Sequence, residues 1–423
     1  TTQSDADAIN DTGKQSANVF DELQVSSSFN APGFFQIGDT KETSFKGIFD
    51  GQGNTISNMV ITSNKTYNQG NQSRDIIGMF GYNLGYVYNL NLTLADIKLY
   101  ESVPVGILVG NNNGVIKECS INTEVELNSE APTMFAVISA TNTGKINKCK
   151  ALGTYTLSNA PTDFGVITTT NTGSITSCNI DGTYNLSKSP TNFSIISTIN
   201  NGKIRKCEIN PTVNITDTGK YPTKFSIIAN NNFGQIYKCN ISGEYSMSAG
   251  TMDNMGLLSL TNEKSGIIFS CSISGKFQKF NGGMPYFGTI AAFNLGKIKH
   301  CVVESTIEYG LNGSFTNFGG LVGKNEGTVA CCENYYSNDM LIASNCAGGI
   351  VGENIGTVAN CINYGGFDIK TSANLGGIIG KNDSTATVEK CNNGQKDGEN
   401  ATINGAYSQG VAGIIGSTGA VDE

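Results

Sequence analysis

Ten cysteines recur at nearly even intervals along this 423-residue chain: Cys119, Cys149, Cys178, Cys207, Cys239, Cys271, Cys301, Cys332, Cys361 and Cys391. The steps between them are 30, 29, 29, 32, 32, 30, 31, 29 and 30 residues. Nine of the ten close a Gly-x-[Ile/Val]-x-x-Cys frame, as in "GSITSC" at 173–178; Ala386 takes the glycine position before Cys391. Two earlier copies keep the frame without the thiol, Leu90 after Gly85 and Met59 after Asn54. A period of about 30 residues held over twelve copies constrains the fold more than any local pattern. One such unit cannot bury its apolar face alone and must stack on its neighbours.

The stacked unit is β-type. Fifty-two glycines, eight prolines, no tryptophan and only 15% charged residues do not fit a helical repeat, which is rich in Ala, Glu, Lys and Leu. Aligned on the glycine, an asparagine stands two residues before it (Asn83, Asn112, Asn142, Asn171, Asn200, Asn232, Asn294, Asn325, Asn354). Since Asn and Gly tolerate positive φ, this pair of columns predicts a tight turn in every repeat. A large apolar residue lies six before the glycine, and Phe135, Phe164, Phe193, Phe225, Phe287 and Phe318 lie nine before it. Prolines at 132, 161, 190 and 222 precede four of these rings by three and open a strand where no backbone donor is needed. After the glycine, Cys178 and Ile180 have the spacing of one strand face, whereas Ile175 and Cys178 do not, so the chain bends near Thr176 and Ser177. A further apolar pair follows, such as Tyr184 and Leu186. The expected fold is all-β: a right-handed parallel β-helix (β-solenoid) of about twelve three-strand coils, about 30 residues each.

In such a stack each alignment column becomes a row along the axis, with neighbours about 4.8 Å apart. The asparagine row then pairs its amides from coil to coil. The cysteine row fills the narrow interior beside a corner with a small apolar side chain. Disulfides between coils are allowed at that separation, but side chains pointing the same way from parallel strands favour reduced thiols. No CxxC pair exists and the only histidine, His300, has no partner histidine, so no metal and no cofactor is expected. Cys331 and Cys346 lie off the main column and are the thiols expected to be reactive or cross-linked.

Residues 1–44 carry no repeat and are assigned as an N-terminal cap over the exposed sheet edges, with a short helix expected at 16–25 and a strand at 33–38; residues 45–423 form the solenoid. The stretch at 412–423 repeats the frame of 348–360, so the C-terminal end either continues into more chain or is covered by another copy or partner. The first residue is threonine, which suggests a targeting segment removed or left out.

Residues 45–61, "FKGIFDGQGNTISNMVI", resemble the opening motif of the GLUG-repeat family, and "GGLVGKNEGTVACC" (319–332), "GGIVGENIGTVANC" (348–361) and "GGIIGKN" (376–382) are similar to its repeat. Between residues 131 and 300 Phe-x-[Val/Ile]-Ile replaces the glycine-rich segment while the period persists. The resemblance implies a secreted or cell-surface β-helix of the kind found in adhesins, and it brings no catalytic residues.

A polysaccharide-processing β-helix needs acidic residues at equivalent offsets of adjacent coils, or a calcium site. Asp163, Asp181, Asp217, Asp253, Asp339 and Asp368 fall at scattered offsets, and Asp50 reads as turn chemistry. The threonines of "VITTTNTG" and "VISATNTG" hint at a crystal-surface-binding row that lapses in later coils. A net charge of −8 gives no electrostatic case for nucleic acid, and no apolar run of 18 residues is present to span a bilayer. Eleven Asn-x-Ser/Thr sequons permit glycosylation. The expectation is a non-enzymatic extracellular structural or adhesive rod, secreted or held at the cell surface, with other copies of itself end to end or surface glycans and proteins as partners. The alternative is a carbohydrate-binding or carbohydrate-active β-helix.

Overall fold

A computed structural model of the chain describes residues 36–62, 75–99, 102–127, 130–217, 222–247, 253–280, 284–304, 308–311, 314–369, 374–396, 399–400, 403–405, 410–412 and 415–418. Among these there is no helix. The strands form four long sheets, all parallel, of 13, 12, 12 and 16 strands; one short antiparallel pair, Gln395–Lys396 with Glu399–Asn400, stands apart.

One coil shows the plan. Asp163–Gly165 belongs to the first sheet, Thr170–Asn171 to the second, Ser174–Thr176 to the third and Asn179–Leu186 to the fourth. Each strand pairs with its equivalent one repeat on: Phe164 faces Phe193, Asn171 faces Asn200, Ile175 faces Ile204 and Ile180 faces Ile209. The β-solenoid is therefore the fold, built from four strands per coil rather than three. The segment before the glycine, expected as one strand, is broken by a corner at Val166 and Ile167. Both of these residues are buried, which a single strand with alternating faces does not allow. Conversely, Ile180, Tyr184 and Leu186 share one face of a single eight-residue strand.

The rows form as the period requires. Phe135, Phe164, Phe193 and Phe225 are stacked with centroids 5.1–5.8 Å apart, and Phe287 with Phe318 at 5.3 Å. Met255 fills the intervening position, facing Phe225 and Phe287. The asparagine row is a continuous ladder in which every Nδ2 donates to the Oδ1 of the next coil at 2.7–2.8 Å, from Asn83 to Asn382. It includes Asn262 and Asn382, which short insertions before the next strand had displaced from the sequence frame. All twelve cysteines are free. Each thiol of the column donates to the carbonyl two residues back, Cys178 to Thr176 at 3.7 Å and Cys332 to Ala330 at 3.3 Å.

The turn chemistry departs from expectation. Neither the asparagine nor the glycine column has positive φ. The left-handed residue is the one just before each cysteine of the column, and before Leu90 in the same place, from Asn89 through Ser177 to Lys390, with φ between 51° and 55°. This is the bend expected near Ser177. The glycines are required instead by close approach: a Cβ on Gly173 would collide with the carbonyl oxygen of Gly144, and one on Gly202 with that of Gly173.

At the N-terminal end, Ile37 and Phe45 bridge to Phe80 and Asn83 of the first described strand of the second sheet. The buried Gln36 carboxamide acts as a surrogate peptide group, accepting from Gly78 N–H at 3.0 Å and donating to Ile76 O at 3.1 Å. It satisfies two groups that a preceding coil would otherwise satisfy. The expected helix at 16–25, and residues 33–35 of the expected strand, lie outside the described residues. Towards the other end, Ile415–Thr418 extends the second sheet, with Thr418 opposite Asn382, in the frame expected for 412–423.

Candidate functional site

Since the interior is filled by these rows, ligand chemistry is confined to what the coils present outward. Third-sheet strands follow an out-in-out pattern, in which the isoleucine is buried and its two neighbours face solvent. The left-handed residue that follows also points outward. These four positions in six consecutive coils read KINK (145–148), SITS (174–177), KIRK (203–206), QIYK (235–238), IIFS (267–270) and KIKH (297–300). Eight cations, Lys145, Lys148, Lys203, Arg205, Lys206, Lys238, Lys297 and Lys299, stand on this face without a carboxylate among them. Lys148 reaches Glu118 of the preceding coil at 3.1 Å; among the described residues the other seven make no ion pair. Arg205 donates to Gln235 Oε1 at 3.0 Å. Tyr237 and Phe269 stack at 5.4 Å, His300 lies tilted against Phe269 at 5.0 Å, and the Lys238 ammonium sits 5.3 Å from the Tyr237 ring centre.

Along one border of this face runs a trough of about 530 Å³. Its floor is the glycine row Gly144, Gly173, Gly202 and Gly234; one wall carries Thr143, Thr172, Asn201 and Phe233, and the other begins with Lys145 and Lys203. The same absence of side chains that lets the coils approach leaves the corner hollow. Phe233 is 40% exposed, an apolar side chain at the rim of a polar groove.

The residues weighed from the sequence fall elsewhere or play structural parts. Asp163 is on the first sheet, where it accepts from Asn192 Nδ2, and Asp181 is on the fourth. Asp217 is buried and accepts from Ser189 N–H at 2.9 Å. Asp253 is exposed, and the side chains of Asp339 and Asp368 lie outside the described residues. Asp50 accepts from the Gln52 N–H at 2.9 Å, as turn chemistry requires. His300 occupies the left-handed corner position. Among the described residues no group of three metal-ligating side chains converges. Cys331 is half-exposed, but Cys346 is not the reactive thiol expected. It is fully buried, donates to Asn317 Oδ1 at 2.9 Å, and burial pushes it up to about 12. Burial likewise holds Cys301 well above the ordinary thiol range, with its neighbours Cys271 and Cys332 adding to the shift.

The basic face was missed because net charge was taken over the whole chain. The signal lay in the columns one, three and four residues past the glycine. No protein-family model, no curated protein and no solved structure matches the chain. Among the described residues no helix is long and apolar enough to cross a membrane.

Proposed function

We propose that the protein is a non-enzymatic extracellular rod, structural or adhesive, that works by presenting its outer faces to a surface or a polymer. The observation that carries this reading is the unbroken ladder of ten amide hydrogen bonds from Asn83 to Asn382. At about 4.8 Å per step it spans about 48 Å, and it holds the exposed side chains in straight rows. The resemblance to GLUG-repeat proteins agrees with a secreted or cell-surface setting. Association of copies end to end belongs to the same proposal. The carbohydrate-binding alternative is favoured by one feature, the trough beside the basic face.

Electron microscopy of the purified chain at rising concentration, combined with incubation on a panel of polysaccharides, tests the reading. Straight rods that retain or join without shortening any polymer are expected. A fall in polymer chain length on incubation overturns it.

A further inference from the structure

Resting on that reading of a non-catalytic rod, we propose that the outer face of the third sheet from Lys145 to His300, with the glycine-floored trough beside it, is a binding surface for a linear acidic polysaccharide lying along the axis.

Charge segregation is the first argument. The chain carries 35 acidic residues against 27 basic ones, yet this face holds eight cations and no carboxylate over six coils. The adjacent fourth sheet and the segments bordering it mix both signs with an acidic excess, Glu124, Glu126, Asp181, Glu208, Glu244 and Glu304 against Lys150, Lys188, Lys276 and Lys279. Concentrating one sign against the sign of the whole molecule costs repulsion among the lysines, and an anionic partner relieves it. The six strands span about 24 Å at about 4.8 Å per step, which suits an extended polymer rather than a small anion.

The second argument separates a polysaccharide from a nucleic acid. Single-stranded nucleic acids are held by open aromatic faces on which bases stack. Here the Tyr237 and Phe269 rings cover each other at an interplanar angle of 12°, with His300 tilted against Phe269, and Phe233 stands at the rim of the trough as a single exposed ring rather than a series on which successive bases stack. Between the cations stand hydroxyls and amides instead: Ser174, Thr176, Ser177, Gln235 and Ser270. Ammonium groups interleaved with hydroxyls match a chain whose carboxylates or sulfates alternate with sugar hydroxyls. The trough, floored by the glycine row, leaves open space beside these cations for such a chain.

The test measures binding of the full chain to polygalacturonate, dextran sulfate, neutral dextran and a thymidine oligonucleotide. The triple variant K145E/K203E/K206E is compared with the milder K145Q/K203Q/K206Q and with K188E/K224E, which reverses two exposed lysines off this face. All three positions in the triple variants are exposed, and a thermal melt confirms folding of each. Binding to at least one acidic polysaccharide is expected, weakening about tenfold or more between 50 and 200 mM salt as counterions are released. A further loss of at least tenfold is expected in the Glu triple variant, a smaller loss in the Gln variant and little change in K188E/K224E. Equal binding of neutral dextran, tighter binding of the oligonucleotide, failure to bind either acidic polymer, or unchanged binding in the Glu variant each overturns the site while leaving the rod reading standing. Shortening of the polymer during incubation overturns the rod reading itself.

Discussion

The Asn171 amide donates to Asn200 Oδ1 at 2.8 Å, and both side chains are fully buried. Asn200 in turn donates to Asn232 at 2.8 Å. The ladder is polar in one direction, every donor facing the next coil, so each member polarises its neighbours in the same sense. Asn200→Ala removes two of these bonds and leaves an Asn171 donor and an Asn232 acceptor buried without partners. We expect a loss of roughly 2–4 kcal/mol in urea unfolding. Asn200→Asp keeps the acceptor but sets a carboxylate oxygen against Asn232 Oδ1. Its deficit is greatest at neutral pH and shrinks as pH falls toward about 4, because the buried carboxyl, raised by the facing Asn232 Oδ1, takes up a proton above that point and regains a donor. A deficit independent of pH would count against the ladder geometry.

Gly173 is where the frame tolerates no substitution, because a Cβ there meets the Gly144 carbonyl of the coil before. Gly173→Ala is expected to lower stability by about 1–3 kcal/mol through overpacking. Thr172→Ala, one residue away on the exposed wall of the trough, is expected to stay within about 0.5 kcal/mol of the parent. Equal melting temperatures for the two variants would contradict the close-approach explanation.

These two positions also mark what could be read from the sequence. The period predicted that Asn171 would stack on Asn200 and Phe164 on Phe193, because a fixed repeat of β-type composition turns each column into a row. It did not predict why Gly173 is glycine. The constraint comes from a carbonyl 29 residues earlier rather than from the local φ, and no local pattern reports that distance. Four strands rather than three per coil were hidden for a similar reason. A corner such as Val166–Ile167 buries two consecutive residues, which breaks the alternation by which strands are recognised. The basic face was legible column by column, from KINK to KIKH, but disappears in a net charge that averages over all four faces.

Two stacked tyrosines make a paired test of hydrogen bonding in the core. Tyr155 and Tyr184 lie 5.3 Å apart at 8° and both are fully buried. The Tyr155 hydroxyl donates to Leu152 O at 2.8 Å, whereas the Tyr184 hydroxyl has no partner among the described residues. Tyr155→Phe is expected to lose about 1 kcal/mol, and Tyr184→Phe to be neutral or to gain a similar amount by removing an unpaired buried hydroxyl. The reverse order in chemical denaturation would show that the two rings are placed differently.

The buried thiols set how the fold responds to alkali. Ten of the twelve cysteines are buried, and Cys331 is one of the two that are half-exposed. Cys346 is raised from its ordinary 9.0 to about 12, chiefly by burial. The unfolded chain releases that proton near 9 while the folded chain keeps it, so the contribution to stability is complete below pH 9 and is lost as pH climbs toward 12. The urea midpoint should therefore stay level from pH 7 to 8.5 and fall above 9, with the decline in Cys346→Ala smaller than in the parent. A thiol-specific disulfide reagent at pH 8 should label Cys331 first, because reaction requires an accessible thiolate. The ten buried thiols should react only on unfolding. Rapid labelling of Cys178 or Cys207 in the native protein would mean that the column is not enclosed by the four sheets.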